Sequence, residues 1–176
     1  MAVLLNETSN LRLRVELVRR LSDGVDTPAS LEFTAAIERY KPVASGERGE
    51  HRFIPLVALS AKKLLDMDLI TFFEGLEALL ASPHAPLAAF EASVEPSLGL
   101  RIARAAGAEA FQVEIGIDLV ALLEPVGGVR SQPGRDLVLF RFPATLRGVA
   151  SFQAQLLEEF GRFPTDPGRV SSGPRE

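Results

Sequence analysis

Two kinds of hydrophobic periodicity succeed one another along this chain of 176 residues, and each kind occurs twice. Apolar residues first alternate with polar ones, which is typical of strands that have one buried and one solvated face. They then recur at helical spacing, which is typical of a helix with one apolar face. Strands grouped before a helix favour an antiparallel sheet on which the helices pack. The sequence therefore predicts the α+β class.

The alternating runs predict the strands of this sheet. In chain order they are residues 11–17, 31–37, 53–59, 90–94 with 98–102, 111–119 and 137–142. The third run is apolar on both faces, which is typical of a central strand, but Pro55 favours an edge or a bulge because proline cannot donate to a strand ladder. We expect one mainly antiparallel, twisted sheet of about six to seven strands.

Two segments predict amphipathic helices. In residues 69–80 the apolar side chains fall at helical spacing, and Asp68 suits the N-cap because its carboxylate can accept from the free amides of the first turn. Pro83 ends this helix. The same spacing in residues 149–163 predicts a second helix, which stops at Pro164. We expect both helices to pack on the sheet through their apolar faces.

Length and composition bound the domain organisation. A chain of this length with 47% hydrophobic residues can bury a core of its own. We therefore expect residues 1–164 to form a single α+β domain. Residues 165–176, with the sequence TDPGRVSSGPRE, carry one aliphatic side chain and are expected to form a disordered C-terminal tail.

Composition also excludes several classes of function. The chain has no cysteine, which excludes a disulfide scaffold, a cysteine-ligated zinc site and a thiol nucleophile. Its net charge is -4, whereas a domain that grips a phosphate backbone is usually basic, so no nucleic acid is expected as a partner. No run approaches the roughly 18 apolar residues of a membrane span. The first apolar run, residues 2–5, is too short for a signal peptide. We expect a cytoplasmic protein without a membrane partner.

The residues best suited to catalysis form no recognisable motif. His51 and His84 have no serine or carboxylate at motif spacing, so surface positions are expected for both. Asp66 and Asp68 form a D-x-D triplet, which in some enzymes holds a divalent metal. Here the triplet directly precedes a helix, where capping and the helix dipole are the favoured explanation. We expect a protein that is not an enzyme, with no catalytic residue, no metal site and no cofactor.

Glutamates gather on the outer faces of the two predicted helices. Glu74 and Glu77 stand three apart on the first helix, and Glu158 and Glu159 end the second. A solvated helix face is the simplest interpretation of this pattern. The functional alternative is an acidic surface for a basic partner, which would speed association. We expect Glu74 and Glu77 to belong to the partner-binding site in that case.

The order of features from Asp68 to Pro164 resembles that of a known family. It consists of a helix TFFEGLEALL, the stretch F-x-x-x-V-E-P-S-L-x-L-R-I from Phe90 to Ile102, the strands FQVEIGIDLV and LVLFRFP, and a helix with LLEEF that closes on Phe163-Pro164. In this respect the chain is similar to the WapI-type immunity proteins and their uncharacterised bacterial relatives. The resemblance implies a small cytoplasmic bacterial protein that binds and neutralises a cognate toxin, and it offers no catalytic residues to carry over.

Three functions remain open on the sequence. The first is a non-enzymatic binding protein, resembling an immunity protein that covers the active surface of a toxin. The second is an enzyme of unrecognised type that uses His51, Asp66 or Asp68. The third is a small-ligand module whose concave sheet face, beneath the helices, holds an apolar molecule. The sequence does not indicate whether the chain dimerises.

Overall fold

The computed structural model describes most of the chain. The described residues are 1–21, 29–41, 52–85, 87–91, 98–105, 110–118 and 137–163, and at Arg52, Ser60 and Ala61 the description is limited to the backbone. Some expectations concern residues outside these ranges, namely the surface position of His51, the strand prediction at residues 92–94, the helix stop at Pro164 and the tail at residues 165–176.

Eight strands and two helices make up the described part of the chain. They are β1 (Ala2–Leu5), β2 (Leu11–Leu21), β3 (Ser30–Lys41), β4 (Arg52–Leu65), α1 (Asp66–Ala81), β5 (Ala88–Glu91), β6 (Leu98–Arg104), β7 (Ala110–Asp118), β8 (Leu137–Thr145) and α2 (Leu146–Gly161). Every strand pairing is antiparallel. The α+β class and both predicted helices are confirmed, and β1 is an additional strand.

The strands form two sheets where the sequence predicts one. Sheet 1 has the order β1-β2-β3-β4, and sheet 2 has the order β5-β6-β7-β8. The expectation of a single sheet of six to seven strands is therefore corrected to two antiparallel sheets, each with four strands among the described residues. Hydrophobic alternation shows which face of a strand is buried, but it does not show which strand lies beside which. It therefore does not distinguish one large sheet from two small ones.

One hydrophobic core is shared by both sheets and both helices. The alternating residues of the predicted strands face this core, as with Leu13 on β2 and Ile37 on β3, both fully buried. Phenylalanines supply much of its volume, since burying an aromatic ring removes a large apolar area from water. The largest fully buried rings are Phe33, Phe72, Phe111 and Phe152.

Pro55 lies on β4, which is the last strand of sheet 1. The pairing of β4 with β3 shifts register twice, between Phe33 and Ala35 and between Ile37 and Glu38. The edge position and the bulge that Pro55 predicts are thus both present, and the alternative of a central strand is wrong. A proline at such a position does not interrupt a ladder in the middle of a sheet.

The two halves of the fold are built alike. In the described ranges, each half consists of four strands in one sheet followed by a helix of 16 residues. Each helix packs against the first strand of the other half, α1 against β5 and α2 against β1. Four of the six buried positions of α1 recur 80 residues later as the buried positions of α2. They are Leu69, Phe72, Leu76 and Leu79 on α1, and Val149, Phe152, Leu156 and Glu159 on α2.

Helix α2 covers the open edge of β1 with polar side chains. Gln155 Oε1 accepts from the Val3 backbone N–H at 2.8 Å, and Glu159 Oε2 accepts from the Leu17 N–H at 3.1 Å. The other oxygen of Glu159 lies against the Met1 amino group. Glu159 is 4% exposed, so the expectation that it belongs to a solvated acidic face is wrong. A carboxylate can be buried here because each oxygen has a donor.

Helix α1 begins one turn earlier than its apolar pattern. Asp66 is the first helical residue and Asp68 the third, so Asp68 is not the N-cap. Its Oδ2 instead accepts from the Leu65 backbone N–H at 3.0 Å, which caps the first turn from within the helix. Asp66 is buried and accepts from Arg20 Nη1 at 2.6 Å. Both aspartates therefore serve the start of α1.

Candidate functional site

A depression of about 480 Å³ lies on the face of sheet 2 that is turned away from the core. We call it the sheet 2 depression. The residues that shape it come from all four strands of the sheet. They are Ala89, Phe90 and Glu91 on β5, Gly99 and Arg101 on β6, Glu114 and Gly116 on β7, and Leu137 and Leu139 on β8.

Two glycines form the floor of the sheet 2 depression. Gly99 and Gly116 are register partners in the middle of the sheet, so neighbouring strands lack side chains at the same place. A Cβ on Gly99 would meet its nearest atom, the Phe90 carbonyl oxygen, at 3.9 Å. The sheet would thus accept side chains there. Their absence leaves backbone at the bottom of an open hollow, and glycine within a strand often marks a close approach of another molecule.

Leucines of β8 form one wall of this hollow. Leu137 is 44% exposed and Leu139 is 50% exposed, although both belong to a regular strand. The Cδ2 of Leu139 lies 3.5 Å from the position of a Cβ on Gly116, so the leucine leans over the glycine. Exposed leucines beside a side-chain-free floor give an apolar surface of the kind that often marks an interaction site.

Charged residues also border the depression. Glu91 lies across the two glycines from Leu139, and Arg101 and Glu114 lie in the neighbouring row. Glu114 Oε2 accepts from Arg141 Nε at 2.6 Å, and its Oε1 lies 4.0 Å from Arg101 Nη1. The side chains of both arginines are more than 60% exposed. Such surface pairs add little to stability, because solvent screens them. Their guanidinium groups remain accessible to a further acceptor that enters the depression.

The outer face of sheet 1 is filled by long side chains. Arg12 Nε donates to Glu38 at 2.5 Å, and its guanidinium lies 3.9 Å from the centre of the Phe53 ring. Tyr40 packs against the same ring edge-on. Glu38 is 6% exposed despite its position on an outer face. Sheet 1 thus closes its outer face with long side chains, whereas sheet 2 leaves its outer face open.

The space beneath the helices is packed. The cavity between the sheets and the helices has a volume of about 20 Å³ and is lined by apolar side chains, among them Phe33, Phe72 and Phe152. A cavity of this size holds at most one water molecule, and an apolar one stays dry. An apolar ligand between the helices and the described strands, as the third hypothesis requires, has no room there.

The residues singled out on the sequence lie apart from the sheet 2 depression. Glu74 and Glu77 are both exposed on α1, and His84 is exposed in the turn after that helix. Asp66 and Asp68 are engaged at the start of α1. Among the described residues no group of three histidines, aspartates or glutamates is placed to hold a metal ion. The structure therefore does not bring these candidates together.

No sequence motif identifies the residues of the sheet 2 depression, although two features of the sequence point to them. Gly99 and Gly116 interrupt alternating runs, and glycine is unfavourable inside a strand unless its lack of a side chain is used. The run LVLFRF at residues 137–142 is apolar on both faces at its start, as the exposure of Leu137 and Leu139 reflects. These two features indicate a single site only when the register of β6, β7 and β8 is known.

Comparison of the chain with protein-family models, with curated proteins and with solved structures yields no match. Among the described residues, no helix combines the length and the apolar character needed to cross a membrane.

Proposed function

We propose that this chain is a non-catalytic binding protein that receives a partner protein in the sheet 2 depression. The observation that carries the proposal is the pairing of a glycine floor, Gly99 and Gly116, with the exposed leucines of β8. Interface hot spots combine a pocket that accepts one large side chain with an apolar wall that excludes water from it. The hollow supplies both, and Arg101 supplies a polar contact at its rim.

The openness of the depression favours a protein over a small molecule. Its volume falls in the range of small-molecule sites, about 300–1,000 Å³, but such sites enclose most of the ligand surface. The sheet 2 depression is a hollow in an open sheet face, and Ala89, Leu137 and Leu139 on its rim are exposed. A partner protein brings its own surface to close such a hollow. A small molecule would remain largely in water.

A toxin is the partner to test first. The resemblance to WapI-type immunity proteins suggests neutralisation of a cognate toxin by covering its active surface. Glu74 and Glu77 on α1 provide a second candidate surface, suited to a basic partner by its charge. These two glutamates are exposed and lie on a different element from the sheet 2 depression. The two surfaces can therefore be tested separately.

Site-specific photo-crosslinking in cells of the native host tests which surface is used. A photoreactive phenylalanine analogue replaces Ala89 at the depression, Glu77 on α1 or Glu16 on the outer face of sheet 1 in three separate variants. We expect one defined protein adduct from position 89 and none from position 16. Adducts from position 77 alone would move the site to the acidic surface, and equal adducts from all three positions would contradict a specific site.

The captured protein is then purified and its affinity measured against a variant with a filled floor. Gly99→Val places a β-branched side chain where there is space, so the fold should be retained while affinity falls at least about tenfold, or about 1.4 kcal/mol. Ala58→Val, at an exposed position of sheet 1, is the matched control and should bind normally. Unchanged affinity of Gly99→Val would contradict the proposed site.

Neutralisation is a separate question from binding. The captured protein is expressed in a heterologous bacterium with this chain, with Gly99→Val or alone. A toxin partner should arrest growth when expressed alone, and this chain should restore growth better than Gly99→Val does. A partner that binds this chain but does not affect growth would leave the binding function standing and refute the immunity role.

A further inference from the structure

Three of the four sheet edges carry a device that hinders pairing with another strand. On the β1 edge, the Val3 N–H donates to Oε1 of Gln155 on α2 and is therefore not free to pair with another strand. Helix α1 packs so closely on β5 that a Cβ on Gly75 would lie 3.4 Å from Ala88. The β4 edge contains Pro55 and two register shifts. Covering, proline and bulges are the usual means of blunting an edge.

Among the described residues, none provides such a device along the first half of the β8 edge. The Pro143 carbonyl oxygen accepts from the Glu7 N–H at 3.0 Å, so the backbone polar groups at position 143 point away from β7. In an antiparallel ladder this orientation repeats at every second residue. The N–H and C=O groups of Leu137, Leu139 and Arg141 therefore also point away from β7. Within the described residues, no strand pairs with them.

The free segment of β8 is regular and apolar on its surface. Its pairing with β7 runs without a register shift from Ala110 opposite Thr145 to Asp118 opposite Leu137. A straight, exposed strand edge with leucines beside it is a template for a further strand. Residues 137–141 are available, because the Pro143 carbonyl is already engaged and proline has no N–H to donate.

We propose that a second copy of this chain pairs with this segment, β8 against β8, in antiparallel orientation about a twofold axis at Leu139. Leu139 is the midpoint of residues 137–141, so this register uses the whole free segment of both copies. Leu139 then faces Leu139 of the second copy, and Leu137 faces Arg141. Each facing pair exchanges two backbone hydrogen bonds, because all three residues present their polar groups outward.

The charges of the segment suit this register and this occupant. Arg141 is its one charged residue, and its guanidinium is already paired with Glu114 of the same chain. With the axis at Leu139, Arg141 faces a leucine, so no like charges oppose each other across the new pair. A register centred on Arg141 would place two arginines face to face. The edge can thus pair with a second copy of itself in this register without opposing like charges.

The dimer joins the two copies of sheet 2 into one continuous sheet. Leu137 and Leu139 border the sheet 2 depression of each copy. The two depressions therefore lie on the same face of the joined sheet, one on each side of the twofold axis. A symmetric contact of this kind closes on itself and does not propagate into a filament. The inference does not rest on the proposed function, since it concerns the backbone edge of β8 and not the floor of the depression.

Sedimentation velocity of the purified full chain tests the dimer. The wild-type chain should show about twice the 19.0 kDa mass of one copy within a series of about 1–100 µM, a range that covers dissociation constants of moderate homodimers. Leu139→Lys and Leu139→Glu should each sediment as monomers, because like charges then face each other at the axis. An equimolar mixture of the two variants should restore the dimer mass, because lysine then faces glutamate.

Two further measurements keep the result interpretable. Far-UV circular dichroism should show that both variants are folded, as expected for an exposed side chain. Leu157→Lys, at an exposed leucine of α2, should leave the dimer intact. A wild-type chain that stays monomeric throughout the series would overturn the proposal. So would dimeric Leu139→Lys, or a mixture that stays monomeric.

Discussion

Arg20 connects three segments that are far apart in the sequence. Its Nη1 donates to Asp66 at the start of α1, and its Nε donates to the Phe163 carbonyl oxygen at 2.9 Å, just beyond α2. Both Arg20 and Asp66 have largely buried side chains. Among the described residues, Asp66 Oδ1 has no hydrogen-bond partner, so the carboxylate depends on Arg20 for compensation of its charge.

Replacing Arg20 should therefore destabilise the fold strongly. We expect Arg20→Ala to lower the free energy of unfolding by about 3 kcal/mol, because it leaves the Asp66 carboxylate buried without a counter-charge. The neighbouring Arg19→Ala should cost about 0.5 kcal/mol, because the Arg19 side chain is 66% exposed and pairs with Glu32 at the surface. Urea denaturation followed by circular dichroism measures both changes. Equal losses in the two variants would refute a special role of Arg20.

At the scale of the element, α2 does more than bury an apolar stripe. It also supplies acceptors to the N–H groups of Val3 and Leu17 at the edge of sheet 1. Strand β1 begins opposite Val15, so no residue of β1 pairs with Leu17. Glu159 supplies the acceptor that a longer β1 would offer to the Leu17 N–H. The helix therefore satisfies the backbone of the sheet on which it packs.

Two adjacent glutamates of α2 should thus differ in their effect on stability. Glu159→Ala should cost about 1–3 kcal/mol, the usual cost of leaving a buried donor without its acceptor. Glu159→Gln should cost less, because the amide oxygen can still accept from Leu17. Glu158→Ala should cost about 0.3–0.5 kcal/mol, because Glu158 is exposed and pairs with Arg162 one turn away. Thermal unfolding of the three variants provides the comparison, and a loss in Glu158→Ala as large as that in Glu159→Ala would contradict the burial argument.

The elements could be predicted from the sequence because their causes are local. The alternation around Leu13 and the helical spacing around Phe72 both depend on neighbours a few residues away. The fate of Glu159 could not be predicted, because its backbone donor, Leu17, is 142 residues away. The division into two sheets depends in the same way on long-range pairing.

The sheet 2 depression could not be predicted from the sequence for a related reason. Each of its glycines lies in a run that still predicts a strand, and each leucine of β8 is compatible with a buried position. Their meaning changes when the register sets Gly99 beside Gly116 and places Leu139 over the pair. The surface glutamates Glu74 and Glu77 could be predicted as exposed because helix periodicity alone decides that. Whether a partner uses either surface is a matter for the crosslinking experiment.

At the scale of the whole molecule, the reciprocal packing of the helices makes the two halves depend on each other. Leu76 and Leu79 of α1 are fully buried in a core that both sheets share. We expect residues 1–84 alone, and residues 85–176 alone, to be unfolded, because each lacks a cover for its helix and for its first strand. Circular dichroism and proton NMR dispersion measure this. Mixing the two fragments should restore native-like spectra, and a half that is folded alone would contradict the prediction.

Neither half can substitute for the other in this packing. The position of Glu159 on α2 corresponds to Leu79 on α1, and leucine offers no acceptor for the Leu17 N–H. The full chain should therefore unfold in one cooperative transition. Denaturation curves followed by circular dichroism and by near-ultraviolet absorbance should coincide.

The equivalence of the two halves has a consequence for how such a chain arises. One ββββα unit by itself exposes both a helix face and a strand edge, and two units related by a twofold axis cover both for each other. The present chain has the form that gene duplication and fusion of such a pair would leave, with residues 82–87 as the join between them. The two halves differ in their outer faces. That of sheet 1 is closed around Glu38, whereas that of sheet 2 has a hollow at Gly99 and Gly116.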